Sequence, residues 1–152
     1  MNTCETRYFG TSNYEEPSVI VFPAGLPGFP QSHRFLPIED SAHRPLLFLQ
    51  SLDNPQLCFL SLPVHLVDPA YRLKMSAEDL ALIGFDHLPA LDAEAQCLVI
   101  VAVAEDGLAT VNLLAPVVIN RATAQAVQAV RDDMVYACRH PLACAGEAAL
   151  CS

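Results

Sequence analysis

The chain predicts a mainly β, single-domain fold: a small antiparallel β-barrel-like architecture with one short helix. Three observations predict it. The 152 residues include 12 Pro, punctuating the chain from Pro17 to Pro141. Pro lacks an N–H donor and breaks helices, so few long helices fit between them. The intervening runs are short and rich in Val, Leu, Ile and Phe, as strands are. Finally, Glu105-Asp106-Gly107 separates two such runs, and Asp-Gly supplies the positive φ that a tight hairpin needs.

The candidate strands, in order, are residues 3–9, 19–22, 34–37, 46–51, 57–62, 71–74, 97–104, 109–114 and 116–120. Between the second and third lies Phe22-Pro23-Ala24-Gly25-Leu26-Pro27-Gly28-Phe29. Its two Pro fix φ and its two Gly permit φ > 0, which specifies a rigid bend. Phe22, Leu26 and Phe29 on that bend either plug one end of a barrel or present a stiff contact surface. Residues 49–59 read as paired strands with an Asp53-Asn54-Pro55 turn at the tip. One helix is well marked near residues 76–83. Ser76 caps it, Asp79 holds the capping-box position, Leu80, Leu82 and Ile83 form an apolar face, and Gly84 offers the left-handed exit. Glu78 and Asp79 sit in its first turn, where the dipole favours acids. Residues 122–130 stay open: Ala and Gln favour helix, while a strand fits if Val127 and Ala129 face inward.

Apolar residues make up 53% of the chain and charged residues 16%, which suits one globular domain, taken as residues 1–142. Residues 143–152 are Ala-rich and read as a flexible tail. No apolar run reaches the length of about 18 residues that spans a bilayer. Residues 1–7 lack the apolar stretch of a secretory signal, so the cytoplasm is the expected location. The formal charge is −9, unevenly spread. From Met75 to Asn120 there are seven acids and no Lys or Arg. Such a region repels nucleic acid and either attracts a basic protein or is simply a solvated acidic surface.

Catalytic signatures are missing. The five His share no metal-binding spacing, and no phosphate-binding loop, dinucleotide fingerprint or nucleophile elbow occurs. Asp132-Asp133 reads as a solvated turn, since adjacent acids usually diverge. Six Cys are scattered, and reduced thiols are expected; Cys58 and Cys97 lie in apolar runs as core residues. Cys138, His140, Cys144 and Cys151 lack a C-x-x-C pair, so no metal or other cofactor is expected. The leading reading is a partner-binding protein; the competing ones, from different classes, are a small-ligand-binding barrel with an apolar lumen and a zinc-binding module on the tail Cys and His group.

Several blocks resemble the bacterial flagellar assembly factor family, FliW. They are Arg7-Tyr8-Phe9-Gly10, read as an opening strand, the bend at residues 22–29, and Leu49-Gln50-Ser51-Leu52-Asp53 with Pro55. They continue with residues 112–120 and with Tyr136 followed by Arg139-His140-Pro141-Leu142. The resemblance covers roughly residues 5–142. The chain departs from the family pattern over residues 121–130, where Ala126 stands at a position commonly Gly. The resemblance implies a non-enzymatic cytoplasmic protein with two partners. One is flagellin. The other is the carbon storage regulator CsrA, an RNA-binding repressor of flagellin translation that the factor antagonises allosterically. Neither nucleic acid nor membrane is an expected direct partner. Phe22, Leu26, Phe29, Asp53 and Asn54 are the expected flagellin contacts; Glu78, Asp79 and Asp86 are the expected contacts for CsrA.

Overall fold

A computed structural model describes residues 2–142. Strands β1 (Asn2–Thr6) and β2 (Gly10–Tyr14) form a separate antiparallel hairpin. The main sheet has nine strands. They are β3 (Ile20–Val21), β4 (Arg34–Glu39), β5 (Leu47–Ser51), β6 (Cys58–Pro63), β7 (Ala95–Val103), β8 (Ala109–Val111), β9 (Val117–Asn120), β10 (Ala126–Gln128) and β11 (His140–Pro141). The order β10-β9-β7-β6-β5-β4-β3 is antiparallel throughout, with β8 pairing both β7 and β11. Two short helices are α1 (Val64–Val67) and α2 (Ala77–Leu82).

The nine-residue β7 is the axis of the sheet. On one side it pairs with β6; on the other its first half pairs with β9 and its second half with β8. The chain steps from β8 to β9 along that edge because Asn112 Oδ1 accepts the N–H groups of Leu114 and Ala115, at 3.1 and 3.0 Å. This turn splits what the sequence reads as almost continuous strand.

The sheet curls into a half-barrel, and its two ends meet at one point. Val21 N–H donates to Ala124 O at 3.0 Å, and Val21 bridges Gln125 in parallel. Both faces are apolar. On one, Phe22, Leu26, Phe35, Leu49, Leu98 and Val117 pack together, drawn from both ends of the strand order. On the other, Phe48, Leu62, Val99, Val111 and Val118 pack beneath Val64 of α1, Ile83 and Tyr71. A strand covered on both faces loses alternation and reads as a continuous apolar run, as β7 does. The side facing both sheet ends is packed with these side chains.

Three expectations need correction. The strand expected over residues 3–9 stops at Thr6. Its hydroxyl accepts from Phe9 N–H and donates to Gly10 O, which turns the chain back into β2. The strand expected at 71–74 is absent. Tyr71 instead buries its ring and donates its hydroxyl to Leu113 O at 2.7 Å, while Arg72 N–H bonds the Tyr136 hydroxyl. Of the two readings open for 122–130 the strand holds: the segment contains β10, preceded by Ala124 at φ 60°, with Val127 and Ala129 buried, and sheet pairing overrides the Ala propensity. A second helix, α1, accompanies the expected one, confined between Pro63 and Pro69. The tail at 143–152, with Cys144 and Cys151, lies outside the described residues.

Candidate functional site

The 22–29 bend is two successive turns. Gly25 N–H closes the first on Phe22 O at 3.0 Å, with Gly25 at φ 71°. Leu26-Pro27-Gly28-Phe29 closes the second with reciprocal bonds of 2.8 and 3.3 Å between Leu26 and Phe29, and Gly28 at φ 84°. Pro followed by a positive-φ Gly is the type II arrangement. The base is clamped by Phe22 N–H to His33 O at 2.7 Å and by the His33 ring Nδ1, which donates to Phe22 O at 2.8 Å.

That clamp leads directly to the 51–57 tip. One Asp53 carboxylate oxygen accepts the backbone N–H of His33 and of Arg34, at 2.8 and 3.1 Å. Ser51 Oγ accepts from Asp53 and Asn54 N–H, and Asn54 Oδ1 accepts from Gln56 N–H. Beneath, the fully buried Gln50 amide faces the carbonyls of Ser51, Pro55 and Leu57 and accepts Arg7 N–H. The bend and the tip, distant in the chain, are thus one polar-stapled unit.

The bend also faces α2. Leu26, Pro27 and Gly28 line one wall of a cleft of about 350 Å³; Asp79 and Leu82 of α2, with Val127 and Gln128 of β10, line the other. Asn120 fixes α2 there. Its buried side-chain Nδ2 donates to Ile83 O at 2.8 Å, and its Oδ1 accepts Ala122 N–H at 2.9 Å. Ser76 Oγ caps the other end, accepting Asp79 N–H at 3.0 Å. At the exit Phe85 N–H reaches back to Leu80 O and Gly84 N–H to Ala81 O, with Gly84 at φ 87°, a Schellman ending.

Comparison with known proteins decides the family. The FliW protein model matches residues 3–142. The flagellar assembly factor FliW of Caldanaerobacter subterraneus subsp. tengcongensis is 34% identical over 142 residues, covering 90% of each chain. That of Heliobacterium modesticaldum is 34% identical, covering 91% of this chain and 88% of the relative. The Bacillus subtilis FliW is 29% identical, covering 90% and 94%. The chain belongs to the FliW family. A crystal structure of the flagellar assembly factor FliW shares the fold, with a TM-score of 0.81 over 93% of this chain and 97% of that one, at 24% identity.

Within this FliW fold the expected flagellin residues divide. Phe22 and Leu26 are core, at 1% and 4% exposure, so Leu26 does not occupy the exposed side of its turn. Phe29 is 41% exposed and stacks edge-on against Phe59 at 5.5 Å. Asp53 and Asn54 are exposed at the tip. Of the expected CsrA residues, Asp79 lies in the cleft and Glu78 is exposed on the same helical turn. Asp86 lies beyond the α2 exit, bonded to His87, and does not line the cleft.

Sequence reading missed three arrangements. His87 bridges two carboxylates, Asp86 at 2.8 Å and Glu94 at 2.9 Å. Arg131, 8% exposed, lies over the Tyr71 and Tyr136 rings and makes two bonds to Asp133, while Asp132 pairs with Lys74. The adjacent acids do diverge, but only Asp132 is fully solvated in character. A third is an apolar groove around Tyr8 and Phe48. The only signal for it was Tyr8-Phe9 between polar residues. Burial pushes the Cys58 and Cys97 thiols up to about 11 and about 12, in keeping with inert core cysteines. Among the described residues no group of His, Cys, Asp or Glu is arranged to hold a metal. No helix there is long and apolar enough to cross a membrane.

Proposed function

We propose that this chain is a cytoplasmic binding protein that captures flagellin and, when free of it, antagonises CsrA, so coupling flagellin synthesis to export. It works through contact surfaces rather than catalysis. The observation that carries the reading is the family match across residues 3–142. The geometry supports it. The bend, stapled to the Asp53-Asn54 tip, offers a preorganised surface with an exposed Phe29, and rigid contacts lose little entropy on docking. The α2 wall of the same cleft carries Asp79, with Glu78 exposed on the same helical turn, in a stretch of sequence free of Lys and Arg, which suits a basic RNA-binding partner. The bend and α2 face each other across this cleft, which gives each partner a route to disturb the other's contacts.

Calorimetric titration with monomeric flagellin and, separately, with CsrA tests the reading. Binding to both, with flagellin-loaded protein losing affinity for CsrA, is the expected result. Failure to bind either partner sinks it. Phe29→Ala and Asn54→Ala are the informative variants, since both residues are exposed. At least one weakens flagellin binding about tenfold or more if this surface is the contact. If both bind as wild type, flagellin docks elsewhere.

A further inference from the structure

We propose that a second surface, on the opposite side of the sheet from the bend, docks an apolar protein segment flanked by basic residues. This proposal does not depend on the flagellin and CsrA reading. The surface is a groove of about 510 Å³ lined by Tyr8, Phe9, Phe48, Leu60, Val101 and Val103, among others. Its walls come from the β1–β2 turn on one side and from β5 to β8 on the other. Phe9 and Phe48 meet edge-to-face at 4.8 Å and build the floor. The rim stays open to water: Tyr8 is 50% exposed, Val103 60%, and Leu108, between lining residues Gly107 and Ala109, 61%. A contiguous apolar patch of this kind marks an interaction site more often than isolated exposed residues do.

Charge selects the occupant. Glu105 and Asp106 sit in the exposed turn that leads into the groove at Gly107, and neither is in a salt bridge among the described residues. Of the nearby cations, Arg44 is ion-paired, while Arg7 is held beside the Tyr8 ring on the far side of the groove from this turn. Arg7 lies 5.2 Å over the Tyr8 ring and donates to Gln56 O, and Arg44 faces Glu39 at 4.0 Å. The groove therefore meets its partner with an apolar floor and an uncompensated acidic end, which favours cations beside the docked apolar side chains. A small metabolite fits the volume but not the lining. Its polar groups are the Tyr8 hydroxyl and the His43 ring, and His43 is bonded to Asp40. The acidic rim also opposes an anionic membrane surface.

The test uses the full chain and a fluorescein-labelled leucine–lysine amphipathic peptide of about 14 residues, long enough to form a helix on a surface. A control peptide carries Glu in place of Lys. The expected result is saturable binding of the Lys peptide in preference to the Glu peptide, weakening as salt rises. Val103→Glu, with its fold checked by circular dichroism, should weaken binding about tenfold or more. If that variant misfolds, Leu108→Ser on the exposed rim takes its place. Glu105→Lys should weaken the Lys peptide and strengthen the Glu peptide; Asp106 is left intact because its side chain accepts Leu108 N–H and closes the turn. Equal affinity for the two peptides overturns the proposal. So does binding indifferent to folded groove variants, concentration-dependent self-association that Val103→Glu abolishes, or partition of the protein onto anionic vesicles.

Discussion

Two glycines three residues apart on one bend, Gly25 and Gly28, do different physical jobs. A Cβ on Gly25 would meet Pro30 O at 2.6 Å and Pro30 Cα at 2.9 Å, both backbone atoms that cannot swing aside. A Cβ on Gly28 would meet nothing within 4 Å, so only its φ of 84° resists substitution. Gly28→Val is therefore expected to cost about 1–3 kcal/mol from backbone strain alone. Gly25→Ala should cost more, because it adds displacement of the 29–30 backbone to similar strain. Urea unfolding of both variants checks the order, and an inverted order refutes the steric account. The same residue-level view explains why Leu26→Ala is a poor binding probe. Leu26 is core, and removing it should cost about 2–4 kcal/mol through cavity formation.

At the scale of elements, α2 is only six residues long, too short to hold itself together by helix propagation. It stands because Ser76, the Schellman exit and Asn120 satisfy its ends. Asn120→Ala removes the bonds to Ile83 O and Ala122 N–H and is expected to cost about 1–3 kcal/mol. Hydrogen exchange should show the loss concentrated in residues 77–84; uniform loss across the sheet would mean that Asn120 stabilises β9 instead. The loop after α2 carries a charge clasp. Both His87 ring nitrogens face carboxylate oxygens, an arrangement in which both donate when the ring is the imidazolium.

Bonds to Asp86 first, then Glu94, raise His87 above its ordinary 6.5. Asp86 is held below its ordinary value by His87, and Glu94 is lowered by Ala90 N–H first and then by His87. A raised histidine stabilises fully below 6.5 and loses that contribution as pH climbs through its higher folded value. The lowered carboxylates stabilise above their ordinary values and lose it as pH falls through their lower folded ones. The clasp is thus closed between the carboxylate and histidine ranges. An NMR titration should place the His87 midpoint above 6.5, and Asp86→Asn should bring it down. A midpoint that Asp86→Asn leaves unmoved would break the pair assignment.

At the scale of the molecule, the acidic surface and the cleft make a prediction about association. Glu78→Gln with Asp79→Asn removes two negative charges from α2 while leaving the Asp79 backbone N–H free to bond Ser76. Asp86 is kept, since removing it also opens the His87 clasp. Surface plasmon resonance against CsrA across a salt series should show slower association and a flatter salt dependence. On-rates equal to wild type at low salt would make the face a solvated surface only.

Most of the β architecture was legible because it is local. Pro and Gly positions, the Asp106-Gly107 turn and the Ser76 cap act through φ, N–H donors and nearest neighbours, and seven of the main-sheet strands follow from apolar runs between them. The bend was legible for the same reason. What Phe22, Leu26 and Phe29 face was not, because an apolar side chain carries the same pattern whether it enters a core or meets a partner. Only the closing of the sheet at Val21 and Ala124, which encloses Phe22 and Leu26 and leaves Phe29 at the edge, decided it. Tyr71 was misread as strand and Arg131 passed over because their partners, Leu113, Tyr136 and Asp133, are chosen by packing across the fold. The sequence alone determined the punctuation of this chain, its acidic stretch and its resemblance to FliW. The tertiary structure decided which residues share a surface, because contacts between distant segments exist only once the sheet has curled.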